Sequence, residues 1–228
     1  MSLLCLDSVS HRFGALPVLG PLTLKLEIGA RHAIAGPNGA GKSTLLNVID
    51  GSLTCAGGEV ILSGGRITRL PAHKRAQLGI SRVFQQPQLS GRHTARGNVL
   101  LALARRHRLG PPMWPLRKQR QLETRAAEFL AQTGLSAVAE RPAGALSYGQ
   151  RRQLELTVAL AAEPKLLLLD EPTAGLSTHD TEVVVDLLRA LPASITLLIV
   201  EHDEHVLNAI ATSITTLSPP STRKAGAP

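Results

Sequence analysis

The stretch Gly36-Pro37-Asn38-Gly39-Ala40-Gly41-Lys42-Ser43-Thr44, GPNGAGKST, decides the fold, because it satisfies the G-x-x-x-x-G-K-[ST] pattern of a phosphate-binding loop. Backbone N–H groups can cradle phosphate oxygens only where small residues let the chain come close, and Gly39, Ala40 and Gly41 are small. A helix starting there points its N-terminus at the anion. Lys42 then supplies a charge for the β- and γ-phosphates, and the Ser43 hydroxyl suits Mg²⁺. Thr44 lies one residue further into the helix. Working outward, His32-Ala33-Ile34-Ala35 reads as a buried strand leading in, and Leu45 to Ile49 as a helix that Gly51 stops. A Gly-rich turn that merely joins a strand to a helix is the plainer alternative, and this context disfavours it.

The composition sets the bounds. With 228 residues and 43% hydrophobic content, the chain can bury a core in one domain with room for an inserted subdomain. No apolar run approaches the ~18 residues of a membrane helix, and no charged segment precedes an apolar one at the N-terminus. A cytosolic chain is the simplest expectation. Cys5 and Cys55 have no metal spacing and are expected to be reduced. The net charge of +8 would suit nucleic acid, yet aromatics make up only 2%, too few for base stacking, so no nucleic-acid partner is expected. Much of the charge is local. Arg105, Arg106, His107 and Arg108 on one side, and Arg117, Lys118 and Arg120 on the other, flank Gly110 to Pro115, which reads as a loop. It is either a solvated basic loop or one drawn to anionic lipid headgroups.

Three further motifs follow the phosphate loop in order. Leu146-Ser147-Tyr148-Gly149-Gln150 precedes a helical pattern from Arg151 to Ala162. Ser147 with Gln150 is a capping box, and a capped helix start with a close-approach glycine is equally an anion site. The apolar run Leu166 to Leu169 ends in Asp170-Glu171-Pro172, a buried strand delivering acids at the end where α/β sheets place their ligands. Asp170 suits Mg²⁺, directly or through water, and Glu171 suits activation of an attacking water. A second run, Ile195 to Val200, ends in Glu201-His202-Asp203, and His202 there can hydrogen-bond a γ-phosphate oxygen.

Together these motifs, in this order and spacing, resemble the ATP-binding subunit of ABC transporters from about Leu3 to Leu217. The resemblance implies roles for matching residues. Walker A is Gly36 to Thr44, including Asn38 and Ala40; the Q-loop is Gln85; the signature is Ser147 to Gln150, with Ser147, Gly149 and Gln150 on nucleotide. Walker B is Asp170, the catalytic residue is Glu171 and the switch is His202, with a D-loop at Ala174 to Ser177. Ser43, Gln85 and Asp170 are the implied metal ligands, and Gln85 joins Glu171 and His202 at the chemistry. Phe13 sits where the family stacks an aromatic on adenine, against the plainer reading of a core Phe. Tyr148 in place of Gly, AGLS at the D-loop, and the stretch from Leu70 to Gln85 are closer to the importer branch for hydrophobic and branched-chain amino acids and its urea and short-amide relatives.

The expected architecture is α/β: a P-loop NTPase (RecA-like) core of residues about 1–85 and 160–217 with an antiparallel β subdomain, and an inserted helical subdomain at about 86–159. Ser218 to Pro228 reads as a disordered tail where the family usually carries further helix. The cofactors implied are ATP and Mg²⁺. The partners implied are transmembrane permease subunits received near Pro87 to Asn98, a second ATP-binding subunit of the same or a related chain, and indirectly a solute-binding protein. Location follows: cytoplasmic, peripheral on the inner face of the cell membrane. An ATPase of a lipid or drug exporter and a soluble ABC-type ATPase are the competing readings; a P-loop kinase would leave LSYGQ and His202 without a job.

Overall fold

The computed structural model describes residues 2–86, 88–106 and 116–219. Of the stretches singled out above, residues 107–115 within the basic segment, Pro87 and residues 220–228 of the tail lie outside the described residues. The chain opens with strands β1 (Ser2–Phe13), β2 (Leu16–Glu27) and β3 (Arg31–Ala35), then helix α1 (Lys42–Asp50). Strands β4 (Gly57–Leu62) and β5 (Gly65–Arg66), helix α2 (Ala72–Gln77) and strand β6 (Ile80–Val83) follow. Next come α3 (Ala95–Arg106), α4 (Leu116–Gln132) and, after two short 3₁₀ turns, α5 (Tyr148–Ala161). The chain then alternates β7 (Leu166–Asp170), α6 (Thr178–Arg189), β8 (Thr196–Val200), α7 (Glu204–Ile210) and β9 (Ser213–Thr216).

Two sheets result. β2-β1-β4-β5 is antiparallel, and β6-β7-β8-β3-β9 is parallel throughout. The apolar runs of β7 and β8 are buried at every residue, as expected of parallel strands covered on both faces. Alternation then divides the core. Leu166 and Leu168 of β7 join a cluster with Leu6 of β1 and Leu45 and Leu46 of α1, under the antiparallel sheet. Leu167 and Leu169 face the other way, toward Leu156 of α5, Val184 and Leu188 of α6, and Val206 of α7. Truncating Leu168, fully buried between these layers, would cost on the order of 2–5 kcal/mol.

A third cluster joins Val99 and Leu103 of α3, Ala126 and Leu130 of α4, and Leu154 and Ala161 of α5. Helix α5 therefore packs on two sides. Leu156 and Ala159 sit on the parallel sheet while Leu154 and Ala161 sit among the helices, so α5 mechanically joins the two masses. The parallel order puts the C-terminal ends of β3, β7 and β8 side by side, and all the chemistry-bearing motifs after them converge there.

Candidate active site

The phosphate loop leaves β3 at Ala35 and enters α1 through Gly41, whose φ of +90° is left-handed. A Cβ there would meet the Val18 carbonyl oxygen at 2.5 Å, so both the conformation and the space require glycine. No side chain caps α1. Its first N–H groups are therefore available to an anion, as the sequence predicts. Asn38 and Gly39 lie in the exposed turn, while Ala40 and Lys42 are buried. The Lys42 ammonium donates to the carbonyls of Gly36 (2.7 Å) and Pro37 (3.0 Å), lying across its own loop where phosphate oxygens would compete for it. Thr44, half-buried, lies in the first turn of α1 behind Ser43.

Asp170, at the end of β7, meets this loop. Its Oδ1 accepts from the Ser43 hydroxyl at 3.2 Å and its Oδ2 from Arg82 Nη2 at 2.7 Å. Arg82 also holds Asp50 Oδ2 at 2.6 Å and Asn47 Oδ1 at 2.5 Å, and lies over the Phe84 ring at 4.7 Å. A buried guanidinium thus fixes the carboxylate so that one oxygen faces Ser43. Ser43 and Asp170 form a compact, oxygen-only donor pair that fits Mg²⁺. Gln85, the third expected metal ligand, is turned elsewhere.

Gln85 Nε2 donates to Glu171 Oε2 at 2.9 Å, and His202 Nε2 lies 3.2 Å from Glu171 Oε1. The carboxylate is held from both sides. Glu171 has φ +47°, a left-handed conformation that a glutamate rarely adopts, and its N–H donates to the Val200 carbonyl at 2.9 Å. Buried Glu201 braces the neighbouring strand end, accepting from the Thr173 hydroxyl and from the His202 N–H (2.9 Å).

The signature residues sit apart. Ser147 Oγ accepts from the Gln150 N–H and Gln150 Oε1 from the Ser147 N–H, both at 3.1 Å, so the capping box is present. A Cβ on Gly149 would come within 2.5 Å of the Asp180 carboxylate, which explains the glycine by packing within the chain. Tyr148 donates its hydroxyl to the Ala174 carbonyl at 3.2 Å. Among the described residues, no hydrogen bond joins Ser147, Gly149 or Gln150 to the phosphate loop. Phe13 is 52% exposed at the end of β1, edge-on to His11 at 4.7 Å, and not a core residue.

Sequence reasoning passed over Arg82, Arg152, Glu155 and Glu201, all buried and charged around the site. Burial pushes the Glu155 carboxyl up, and Arg152 and the Phe84 N–H pull it back only in part. The signals were present but faint: Arg82 interrupts a four-residue strand, and Arg152 and Glu155 stand three apart on a helix.

Fold and site define the class: a nucleotide-binding P-loop protein with its acids at the end of a parallel strand. Residues 19–174 match the ABC transporter family model, and the chain belongs to that family, as an ATP-binding, ATP-hydrolysing subunit. It is 34% identical to the high-affinity branched-chain amino acid transport ATP-binding protein BraF of Pseudomonas aeruginosa, across 93% of this chain and 86% of that protein. Identity to LivG of Escherichia coli K12, described in the same words, is 32% over the same shares. A phosphonates import ATP-binding protein, PhnC 2 of Rhodopseudomonas palustris, is 36% identical across 95% of this chain and 76% of its own length. Among solved structures, the ADP conformation of an ABC transporter ATP-binding cassette aligns with TM-score 0.81 at 30% identity, covering 95% of this chain and 87% of that one.

Proposed function

We propose that this subunit powers import of branched-chain or other hydrophobic amino acids, or of urea- and amide-like solutes. The relatives described as branched-chain amino acid transport proteins carry the solute class, together with Tyr148 and the D-loop Ala174-Gly175-Leu176-Ser177. The phosphonate importer subunit is a specific reason to keep a second solute class in view.

For hydrolysis, the observation that carries the reading is the single carboxylate of Glu171 held between Gln85 and His202 beside the phosphate loop. Phe13 stacks the adenine, the backbone of Asn38 to Gly41 and the Lys42 ammonium hold the phosphates, and Ser43 and Thr44 begin the helix behind them. Mg²⁺, held by Ser43 and Asp170 with Gln85 swinging in, would neutralise charge on the phosphate oxygens. Glu171 takes a proton from the attacking water, and His202 donates to the γ-phosphate, sensing whether it is intact. Ser147, Gly149 and Gln150 do not meet the loop of their own chain, so their anion is the γ-phosphate of a second ATP-binding subunit, identical or related. Each ATP then holds two subunits together until hydrolysis removes the anion.

The residues at about 86–159 work as a helical subdomain against the core at about 1–85 and 160–217. No described helix is long and apolar enough to cross a membrane, so the subunit would sit peripherally on the inner face of the cell membrane through permease chains. A cavity of about 580 Å³ between α2, β6, α3 and α5, lined by His73, Phe84, Leu101, Glu155 and Val158, suits a permease helix.

The test is purification of the tagged subunit from gently solubilised membranes. Multi-spanning chains with a solute-binding protein, and ATP turnover stimulated by leucine or valine, would support this reading. Stimulation by a phosphonate instead would move the solute class, and a preparation without membrane chains would favour a soluble ATPase.

A further inference from the structure

Arg152 is fully buried, and burying a guanidinium is tolerated only when its donors are all engaged. Its Nε donates to the Pro172 carbonyl at 2.7 Å, and its Nη2 to the carbonyls of Glu171 (2.7 Å) and Asp170 (3.3 Å). Its Nη1 donates to the Phe84 carbonyl and to Glu155 Oε2 at 2.7 Å. Glu155 in turn accepts the Phe84 N–H on its other oxygen at 3.2 Å. Both polar groups of the Phe84 backbone are therefore held by one ion pair on α5.

The choice of acceptors is what separates this arginine from an ordinary buried one. Arg75, equally buried, donates to the carbonyls of Val48, Ile49, Thr68 and Leu70, and so closes the end of α1 and a neighbouring loop. Every acceptor of Arg152 outside its own helix lies in the two segments carrying Gln85, Asp170 and Glu171. One of them is the carbonyl of Glu171, the residue forced into a left-handed conformation, whose N–H is tied separately to β8. Ala174 also donates to that carbonyl at 3.2 Å, and Arg152 adds the link to α5.

We propose that Arg152, held by Glu155, is a positioning residue of the hydrolytic site: it fixes the backbone of Glu171 and Phe84 and so aims the Glu171 carboxylate and the Gln85 amide. The inference rests on the reading of Glu171 as the general base. It also gives α5 a second job. The helix whose start meets the partner's nucleotide grips the catalytic strand end of its own chain one turn later, so displacement of α5 reaches Glu171 directly.

The experiment measures single-turnover ATP hydrolysis by the full chain with Arg152→Lys, Glu171→Gln and both, alongside ATP affinity by calorimetry and thermal melting. A lysine keeps the charge but cannot span the acceptors. Arg152→Lys is expected to slow hydrolysis about 10²-fold, the usual consequence of misplacing a reacting group by an ångström, with ATP affinity changed less than about twofold. In the Glu171→Gln background it should cost nothing further, because the two residues act as a unit. Equal fractional losses in both backgrounds, or a loss of ATP affinity matching the loss of rate, would overturn the proposal. Undiminished turnover by Glu171→Gln alone would instead remove the underlying assignment of the base. If Arg152→Lys does not fold, Glu155→Gln, which keeps an acceptor for the Phe84 N–H, serves the same cycle: a severalfold slowing absorbed by Glu171→Gln supports the proposal, and a multiplicative one sinks it.

Discussion

Helices α1 and α5 begin in different ways. α1 starts after a left-handed glycine with no side chain over its end, whereas α5 starts under a reciprocal Ser147–Gln150 cap. The first leaves backbone donors free for an anion inside one chain; the second has its Ser147 and Gln150 N–H groups capped within the chain and, among the described residues, makes no hydrogen bond to the phosphate loop. The phosphate loop also comes with its acids: Ser43 touches Asp170, and Glu171 stands between Gln85 and His202. Among the described residues, no hydrogen bond joins Ser147 to a carboxylate. One end can therefore bind nucleotide alone, and the other needs something brought to it.

The largest expected effect tests the first end. Glu171→Gln keeps the shape between Gln85 and His202 and removes the base, so ATP turnover should fall roughly 10²- to 10⁴-fold with ATP affinity retained. The variant should also accumulate as an ATP-dependent dimer by size-exclusion chromatography, since the anion that engages α5 would persist. A variant that stays monomeric with saturating ATP would break the contrast drawn between the two helix ends.

Lys42→Ala comes next. Removing the ammonium takes away one charged donor together with its bonds to the Gly36 and Pro37 carbonyls, so ATP affinity measured by calorimetry should weaken by roughly 10- to 10²-fold, corresponding to about 1.5–3 kcal/mol. Because the loss belongs to the α1 end, it should be the same in dilute, monomeric protein as at concentrations where dimers form.

Much of this organisation was legible in the chain. The runs Leu166 to Leu169 and Ile195 to Val200 read as buried strands because parallel strands covered on both faces carry no polar alternation, and the structure buries Leu166 to Leu169 and Thr196 to Val200, with Ile195 half-buried just ahead of its strand. The antiparallel early sheet, the start of α1 and the cap of α5 follow equally local rules. The long-range hydrogen bonds of the buried arginines were not legible. Arg82 finds Asp170 across 88 positions and Arg152 finds Phe84 across 68, and a lone charge in a pattern reads as exposed until its partner is known. Nor does anything in the type of Glu171 announce its left-handed backbone; that is imposed by the β7 and β8 ends closing on it.

Ser147→Ala addresses the second helix end. Losing the cap should cost about 1 kcal/mol of stability, lowering the melting midpoint by roughly 2–4 °C for a chain of this size. ATP affinity of the dilute monomer should stay as it is, while cooperative turnover at high protein concentration falls. If the dilute monomer lost affinity as Lys42→Ala does, the two ends would be parts of one intramolecular site.

The smallest effect concerns the strand that feeds α1. His32 on β3 is buried, with its ring nitrogens 2.7 Å from Ser213 Oγ and 2.9 Å from Thr215 Oγ1 on the edge strand β9. Burial disfavours the charged ring and lowers its pKa below the ordinary 6.5. A depressed pKa means the folded chain binds the proton less readily than the unfolded one, so the contribution to stability is present above 6.5 and is lost as the pH falls below it. Melting between about pH 7.5 and 5.5 should thus show a decline that His32→Gln lacks. Hydrogen exchange gives the regional test: on acidification, amides of β9 and the end of β3 should open before those at the start of α5, because the proton enters on the α1 side only. Equal loosening of both helix starts would mean that acid acts through the whole sheet and not through His32.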